Sequence, residues 1–317
     1  MKSILKKVAG VAVAVVLALG MIGCSNGSDD PVMPPVSGKQ TVATPEFSVD
    51  SGAVNGGTEV TITCATEGAK IYYTTDGTEP TAESTEYTEA ISITKAVTLK
   101  AIAVKDGMND SVVASASYSI IPTPGDFVLK DGTILSKDEA PERGTVAAVI
   151  VRAAADGKPA LGVGIVHNQS GLAWCTESAA GYSTDITSLH FTYEDGRDGW
   201  EKLKAACPDA ESNPENYPAW NYSLTYAETN GLTGDLATGW YLPTVAELYT
   251  IYQNKTAVDA SLSKAGGSTF GLSYYWAYCQ VPSCSSDARV LSFGNGGMNC
   301  NGKFNSGYYV CSVRAFN

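Results

Sequence analysis

The sequence changes character at Pro122-Thr123-Pro124-Gly125. Short runs of alternating apolar and polar residues precede this point, whereas a mixture of helix-like and strand-like patterns follows it. Proline fixes one backbone torsion and cannot donate a backbone hydrogen bond, so two prolines followed by glycine interrupt regular structure. A chain of 317 residues is long enough to bury two cores. We therefore expect two folded domains, separated by a short, stiff linker at residues 122–125.

Residues 45–121 carry short runs in which apolar and polar side chains alternate. β-branched residues dominate these runs, and glycine and aspartate separate them, as at the Asp76-Gly77 turn. This period of two is typical of strands with one buried face. The segment therefore predicts an all-β, immunoglobulin-like antiparallel sandwich.

Two strings in this segment carry a family resemblance. They read Ile71-Tyr72-Tyr73-Thr74-Thr75-Asp76-Gly77-Thr78-Glu79-Pro80-Thr81 and Lys100-Ala101-Ile102-Ala103-Val104-Lys105-Asp106-Gly107. The segment resembles the small immunoglobulin-like domain at the C-terminus of chitobiases. That resemblance implies an accessory spacer, and the segment holds no cluster of titratable groups that would suggest chemistry.

The N-terminal residues have the pattern of an export signal. Three lysines within residues 1–7 precede an apolar run over residues 8–19, which is too short for a permanent membrane span. Met21-Ile22-Gly23-Cys24 resembles the bacterial lipobox, which implies removal of residues 1–23 and acylation of Cys24. The alternative is an ordinary signal cut nearby, leaving Cys24 as a thiol. Residues 24–44 are rich in Pro, Gly, Ser and Thr and predict a flexible tether.

These features imply an extracytoplasmic lipoprotein whose membrane partner is the lipid bilayer, reached through Cys24. We expect it in the bacterial cell envelope, at the outer membrane and exposed on the surface. The formal net charge is -12, and removal of the lysine-bearing signal makes it more negative. A chain this acidic repels phosphate backbones, so nucleic acid is excluded as an expected partner.

Local patterns after residue 125 predict four elements. Residues 145–151 and 160–166 are apolar runs separated by Asp156-Gly157-Lys158-Pro159, which predicts a hairpin. Residues 199–207 predict a helix. A second helix begins at Thr244, because Glu247 three residues later completes a capping box.

Three motifs after residue 126 carry a second resemblance: Gly239-Trp240-Tyr241-Leu242-Pro243-Thr244-Val245-Ala246-Glu247-Leu248, Tyr275-Trp276, and Val310-Cys311-Ser312-Val313-Arg314-Ala315-Phe316. Together they resemble the formylglycine-generating-enzyme branch of the C-type lectin fold. Within it, their order is similar to the variable proteins of diversity-generating retroelements, of the treponemal lipoprotein type. The resemblance implies an α+β C-type-lectin-like domain at residues 126–317, in which Trp240, Leu242, Trp276, Val313 and Phe316 form the frame. Arg314 is expected to make a structural ion pair or to contact carbonyl groups.

Residues 277–308 are crowded with Ser, Gly, Asn, Cys and Tyr. In diversity-generating systems, random replacement of the two adenines of an Asn codon yields many such residues but never Lys, Gln, Glu, Met or Trp. Gln280, Met298 and Lys303 would then be fixed positions. Antibody-like surfaces favour a similar mixture, because Tyr supplies contact area at low entropic cost. The alternative is a Gly- and Asn-rich loop and strand region of an ordinary structural domain.

A ligand-binding face needs diverse exposed side chains on a rigid frame. We expect an unknown protein or glycan ligand to contact the following residues of the variable segment: Tyr278, Cys279, Ser283, Cys284, Asp287, Arg289, Ser292, Asn299, Cys300, Asn301, Phe304, Asn305 and Tyr308.

The sequence gives less support to an enzymatic function than to ligand display. Cys279 and Cys284 are spaced superficially like the copper-binding pair of formylglycine-generating oxidases, but they precede the segment in which that family places its pair. The only histidines, His167 and His190, have no recurring zinc-ligand spacing, and no Gly-x-Ser-x-Gly elbow occurs. True C-type lectins bind calcium through Glu-Pro-Asn or Gln-Pro-Asp triplets, and both are missing from the sequence. We therefore predict a protein without catalytic residues, metal or cofactor.

Export also permits disulfides. Of eight cysteines, an odd number remains once Cys24 is acylated, so at least one cannot pair within a monomer. Cys175 with Cys207, and Cys300 with Cys311, are the candidate pairs. The sequence thus predicts a lipid-anchored display protein; the alternatives are a structural envelope lipoprotein with an invariant surface and, less favoured, a copper-dependent oxidase.

Overall fold

The structure, a computed structural model, describes residues 38–190, 196–282 and 284–316. The predicted signal peptide, Cys24 and most of the predicted tether lie outside the described residues. Residues 39–317 group into one compact unit. No helix in the described ranges is both long and apolar enough to span a membrane.

Within the described residues, the N-terminal sandwich contains nine strands. They are β1 (Glu46–Phe47), β2 (Gly52–Asn55), β3 (Thr58–Val60), β4 (Ile62–Thr63), β5 (Lys70–Thr74), β6 (Thr85–Glu86), β7 (Ile91–Ile93), β8 (Val97–Val104) and β9 (Ala114–Ile121). One five-stranded sheet has the order β2-β9-β8-β5-β6, and β1-β4 and β3-β7 form two-stranded sheets. Alternate residues of β8 and β9 are buried, as the period of two predicted. The Asp76-Gly77 turn is also confirmed: Thr78 N donates to Asp76 Oδ1 at 3.0 Å.

The predicted tether extends too far by several residues. Val42 is 2% exposed, and its backbone N donates to Asn109 O at 2.9 Å. Asn109 N in turn donates to Gln40 O at 2.8 Å. Residues 40–44 therefore belong to the folded sandwich, because a single buried valine and two backbone bonds hold them there.

The linker at residues 122–125 joins two domains that contact each other. Ser136 N donates to Thr94 O at 2.8 Å, and Lys95 forms an isolated antiparallel bridge with Leu135. At the linker itself, Thr123 N donates to Asp126 Oδ2 at 2.8 Å. The sandwich is consequently packed against the C-terminal domain.

The C-terminal domain is an α+β unit. Its strands are β10 (Phe127–Leu129), β11 (Ile134–Leu135), β12 (Val146–Arg152), β13 (Ala160–Gly164), β14 (Asn168–Leu172), β15 (Trp240–Tyr241), β16 (Tyr274–Val281), β17 (Cys284–Ser292), β18 (Met298–Gly302), β19 (Tyr308–Val310) and β20 (Val313–Phe316). Its α-helices are α1 (Gly199–Ala206), α2 (Asp209–Ser212), α3 (Pro218–Leu224), α4 (Tyr226–Thr229), α5 (Val245–Gln253) and α6 (Lys255–Ala265). Short 3-10 helices cover Ala180–Tyr182, Thr187–Leu189, Pro214–Asn216 and Gly234–Ala237.

Two sheets organise this domain. One has the order β11-β10-β12-β13-β20-β15, and the other has the order β14-β19-β16-β17-β18. The predicted hairpin is confirmed as the antiparallel pair β12 and β13, although β13 ends at Gly164. Residues 146–151 of β12 are all buried, because Val149 faces the main core while Ile150 faces a second cluster containing Tyr226 and Trp240.

The motif around Trp240 is structural, as predicted. Trp240, Leu242, Trp276 and Val313 are buried, and Phe316 packs partly buried against the second cluster. The guanidinium of Arg314 donates to the carbonyl oxygens of Thr238 at 2.8 Å, of Ala315 at 3.4 Å and of Asp235. Its role in carbonyl contacts is thereby confirmed.

Both predicted helices are present. The first is α1, which Cys207 terminates. The second, α5, begins after Thr244: Glu247 N donates to Thr244 Oγ1 at 2.9 Å, and Thr244 N donates to Glu247 Oε2 at 2.8 Å. Glu247 is buried and also accepts a 2.7 Å hydrogen bond from the Tyr241 hydroxyl, so the capping box ties α5 to β15.

Removing the capping hydroxyl should destabilise the domain. We expect Thr244→Ala to lower the free energy of unfolding by about 1–2 kcal/mol, because a buried backbone N–H loses its acceptor. Thr244→Ser keeps the hydroxyl and should recover most of that loss. Urea denaturation of the three proteins checks this, and equal midpoints would contradict it.

Candidate functional site

The strands β16, β17 and β18 contain most of the predicted contact residues, but three of those on β16 and β17 are buried. Tyr278, Cys279 and Ser292 are buried, at 0%, 0% and 4% exposure, so predicting them as ligand contacts was wrong. β16 lies inside its sheet, between β19 and β17. The ring of Tyr278 lies 5.9 Å from that of Trp220, which places it in the core. Ser283 lies outside the described residues.

The register of β17 and β18 divides the remaining residues between two faces. Arg289 pairs with Cys300 and Asp287 with Gly302, whereas Val290 pairs with Asn299 and Ala288 with Asn301. Directly opposite residues share a face, and successive residues alternate. Cys300, Arg289 and Asp287 therefore lie on one face, and Asn299 and Asn301 on the other.

Tyr308 belongs to a different region. It is half-buried on β19, where its ring lies 5.0 Å from that of Trp276 and 6.0 Å from that of Tyr274. β16 and β17 separate β19 from β18. At the usual strand spacing, Tyr308 is about 14 Å from β18, so it lies apart from the predicted contact residues of that strand.

The end of β18 presents the most exposed predicted residues. Asn299, Cys300 and Phe304 are exposed, and Asn301 and Asn305 are partly exposed. These five residues lie on both faces of the edge strand β18 and on the turn after it, and we call them together the tip surface. Asn305 Nδ2 donates to Asn301 Oδ1 at 3.2 Å, and Gly307 N donates to Asn305 Oδ1 at 2.8 Å. These bonds order the turn that follows β18.

The tip surface adjoins an aromatic residue that the sequence analysis did not predict. The ring of Phe304, whose exposure is 52%, meets the ring of Tyr182 edge-on at 6.1 Å. Tyr182 is partly exposed and ends a 3-10 helix far away in sequence. It extends the exposed aromatic area beyond the predicted segment.

Lys303 fastens the tip surface to the domain. Its side chain is 0% exposed, and Nζ donates to Gly181 O at 2.6 Å and lies 4.7 Å from the centre of a Trp174 ring. The backbone of Lys303 adds a 2.8 Å bond to Ser286 O and accepts one of 2.8 Å from Trp174 N. Burial lowers the pKa of this amine to about 8.

Gln280 is the second anchor. Its side chain is also 0% exposed; Oε1 accepts a 2.9 Å bond from Ile186 N, and Nε2 donates to Thr184 O at 3.0 Å. Gln280 and Lys303 thus hold the segment at residues 181–186 from two sides. Met298, the third position expected to be fixed, is 45% exposed and makes no comparable anchor.

Arg289 and Cys284 are partly exposed on β17. Arg289 Nε is buried without a hydrogen-bond partner. The Cys284 thiol lies 3.7 Å from Ser286 Oγ.

Neither predicted sulfur pair is bonded in this structure. Cys64, Cys175, Cys207, Cys284, Cys300 and Cys311 are free thiols. Cys300 on the exposed edge strand β18 cannot bridge to buried Cys311, which follows β19, because two strands separate them and a disulfide spans at most about 7 Å between Cα atoms.

Metal ligands do not cluster in the described part of the chain: no group of three or more His, Cys, Asp or Glu side chains could hold an ion there. His167 is buried between Gly164 O, at 3.1 Å, and the Tyr275 hydroxyl, at 3.3 Å. His190 Nε2 lies 2.7 Å from Asp185 Oδ1. Both histidines make the protein contacts expected of structural residues.

The pH dependence of stability should reveal the buried amine of Lys303. Its folded pKa, about 8, is below the ordinary 10.5, so the unfolded chain binds more protons between these values. Stability therefore rises with pH in this window. Relative to Lys303→Met, the wild type should gain about 2 kcal/mol from pH 8 to 10.5, allowing for solvent screening.

Urea denaturation across this pH range measures the difference. Lys158→Met, at an exposed position, is the control and should follow the wild type. If the free energies of unfolding of the wild type and of Lys303→Met depend on pH in the same way, the lowered pKa of the buried amine is contradicted.

Comparison with known proteins supports the first domain. Residues 49–115 match the chitobiase/beta-hexosaminidase C-terminal domain family. The N-terminal sandwich is similar to that domain. The match covers a minority of the chain and leaves the second domain without a family. No curated protein matches the sequence.

One solved structure shares the general architecture. A fimbrial protein from Bacteroides ovatus ATCC 8483, solved at 1.85 Å, aligns with a TM-score of 0.50 and 12% identity. The alignment covers 87% of this chain and 70% of that one. At such low identity it indicates similarity of fold alone.

Proposed function

We propose that this chain is a lipid-anchored protein of the bacterial cell envelope that displays a diversified ligand-binding surface. Cys24 carries the lipid, the sandwich supports the second domain, and the second domain has a C-type-lectin-like fold. The tip surface binds a protein or glycan ligand, and the chain does no chemistry of its own. A fimbrial protein with a similar fold is consistent with use at the cell surface.

The pattern of anchored and exposed positions is the main support for this proposal. Gln280 and Lys303, which adenine replacement could not produce, are fully buried and hydrogen-bonded. Asn299, Cys300, Asn301, Phe304 and Asn305, which it could produce, surround Lys303 and are exposed or half-exposed. A surface that varies without unfolding its domain needs this separation of supporting and contacting positions.

The gene itself tests the mechanism. Sequencing of many clones should show codon variation at the tip surface and constant codons for Gln280 and Lys303. A near copy of the segment for residues 277–308, with adenines at the varying positions, should lie beside a reverse-transcriptase gene. Codons for residues 146–151 of β12 are the internal control. Invariant tip-surface codons would favour the alternative hypothesis of a structural envelope lipoprotein with an invariant surface.

A protein experiment tests the same division. Libraries that randomise the five tip-surface residues should yield folded protein in most clones, whereas libraries at Gln280 and Lys303 should yield a much smaller share of folded clones, with lower thermal midpoints. Thermal unfolding and soluble yield measure this. Equal tolerance at both sets of positions would contradict the proposal.

The proposed lipid attachment at Cys24 can be tested separately. Cells fed a tagged palmitate should label the wild-type chain, and Cys24→Ala should abolish the label. Labelling that persists in the variant would exclude acylation at this residue.

A further inference from the structure

Cys175 and Cys207 lie in the same core behind the tip surface. Both side chains are 0% exposed and belong to one hydrophobic cluster. Cys175 follows β14, whereas Cys207 ends α1. The two residues therefore come from separate segments that meet inside the domain.

Hydrogen bonds bring these segments together around Tyr217. Backbone bonds of 2.8 and 3.0 Å join residues 173–176 to residues 216–219. The Tyr217 hydroxyl donates to the Asp209 carboxylate at 3.0 Å, two residues after Cys207, and also interacts with the Cys207 thiol. The Cys207 thiol thus contacts Tyr217, and the segment that contains Cys175 is bonded through its backbone to the residues on either side of that tyrosine.

The electrostatics agree with this proximity. Burial raises the pKa of Cys175 to about 12 and also raises the pKa of Cys207. A charge on Cys207 would raise the pKa of Cys175 further, whereas the Lys303 ammonium lowers both. Each thiol is therefore within electrostatic reach of the same amine.

We propose that Cys175 and Cys207 form a disulfide when the chain meets an oxidant. The two thiols lose two protons and two electrons as their S–S bond forms. A disulfide-bearing oxidant, such as oxidised glutathione, accepts them and becomes two thiols. Export to an oxidising compartment belongs to the proposed function, but the pairing itself does not depend on it.

The cross-link would stiffen the support of the tip surface. It closes a loop over residues 175–207, which contains Gly181, the acceptor of the Lys303 amine, and Tyr182, the neighbour of Phe304. Fewer unfolded conformations are available to a chain with a closed loop. Oxidation therefore holds the platform under the tip surface without adding a contact to it.

Peptide mapping tests the pairing. The full-length reduced chain is refolded with reduced and oxidised glutathione, alkylated in denaturant without reductant, and digested with trypsin. Arg197 and Lys204 lie between the two cysteines, so cleavage places them in different peptides. We expect a linked pair containing Cys175 and Cys207, which reductant separates, and an alkylated Cys311. Alkylation of both cysteines, or linkage of either to another cysteine, would overturn the proposal.

Thermal unfolding gives a second measurement. The oxidised wild type should unfold on the order of 5–10 °C above Cys207→Ala, and reductant should remove most of that difference. Cys311→Ala changes another buried thiol and should keep the sensitivity to reductant. If reductant leaves the wild-type midpoint unchanged, the bond is absent. Because the chain is oxidised in vitro, failure here is distinct from failure of export or display.

Discussion

Gly171→Ala should lower the free energy of unfolding by about 3 kcal/mol or more. Gly171 has a φ of +84°, and a Cβ placed there would lie 2.0 Å from the backbone oxygen of Ser306. The substitution therefore combines left-handed strain with a clash that no side-chain rotation can relieve. Ser306 must move, and with it the turn that carries Phe304 and Asn305.

Gly231→Ala is the matched control. Gly231 also has a positive φ, +62°, but its added Cβ would meet nothing within 4 Å. We expect it to cost only about 1 kcal/mol, from backbone strain alone. Urea denaturation of both variants separates the cost of backbone strain from the cost of the clash. Similar losses in free energy of unfolding would show that the clash with Ser306 contributes little.

Acid should destabilise the protein through His167. Burial lowers the pKa of this histidine to about 3, although its bond to Gly164 O opposes the shift. Between pH 6.5 and 3, His167 is therefore protonated in the unfolded chain but neutral in the folded protein. The free energy of unfolding falls as the pH falls through this range. The loss attributable to this residue should reach roughly 4 kcal/mol by pH 3.

His167→Gln isolates this contribution. Glutamine can still hydrogen-bond but does not titrate, and all carboxyl groups remain the same in both proteins. The difference in free energy of unfolding should be constant above pH 7 and should shift in favour of the variant as pH falls to 4. A difference that does not change with pH would show that His167 takes up its proton as readily in the folded protein as in the unfolded chain.

Local patterns predicted the fold where one short segment contains all the information. The Thr244 and Glu247 pair defines the start of α5 by itself, and the Asp156-Gly157 turn places β12 beside β13. The period of two in β8 and β9 likewise reports their buried faces. None of these predictions depends on which distant element lies next to the segment.

The candidate site was less predictable because exposure depends on distant partners. Tyr278 and Cys279 have the composition of a contact surface, yet these successive residues point to opposite faces of β16 and both are packed in the core. Tyr182 has no sequence signal that connects it to Phe304. Lys303 was recognised as a constant position, but lysine is seldom buried, so its anchoring of Gly181 could not be inferred from its residue type.

The pairing of β17 with β18 also limits how the segment can evolve in length. Because neighbouring residues of a strand face opposite sides, inserting or deleting one residue before Lys303 would turn its amine toward water and bring an exposed neighbour into the core. Substitution preserves the register, whereas a frame-preserving single-codon insertion destroys it. Homologous chains should therefore differ in residue identity at the end of β18 while keeping the number of residues from Met298 to Lys303 constant.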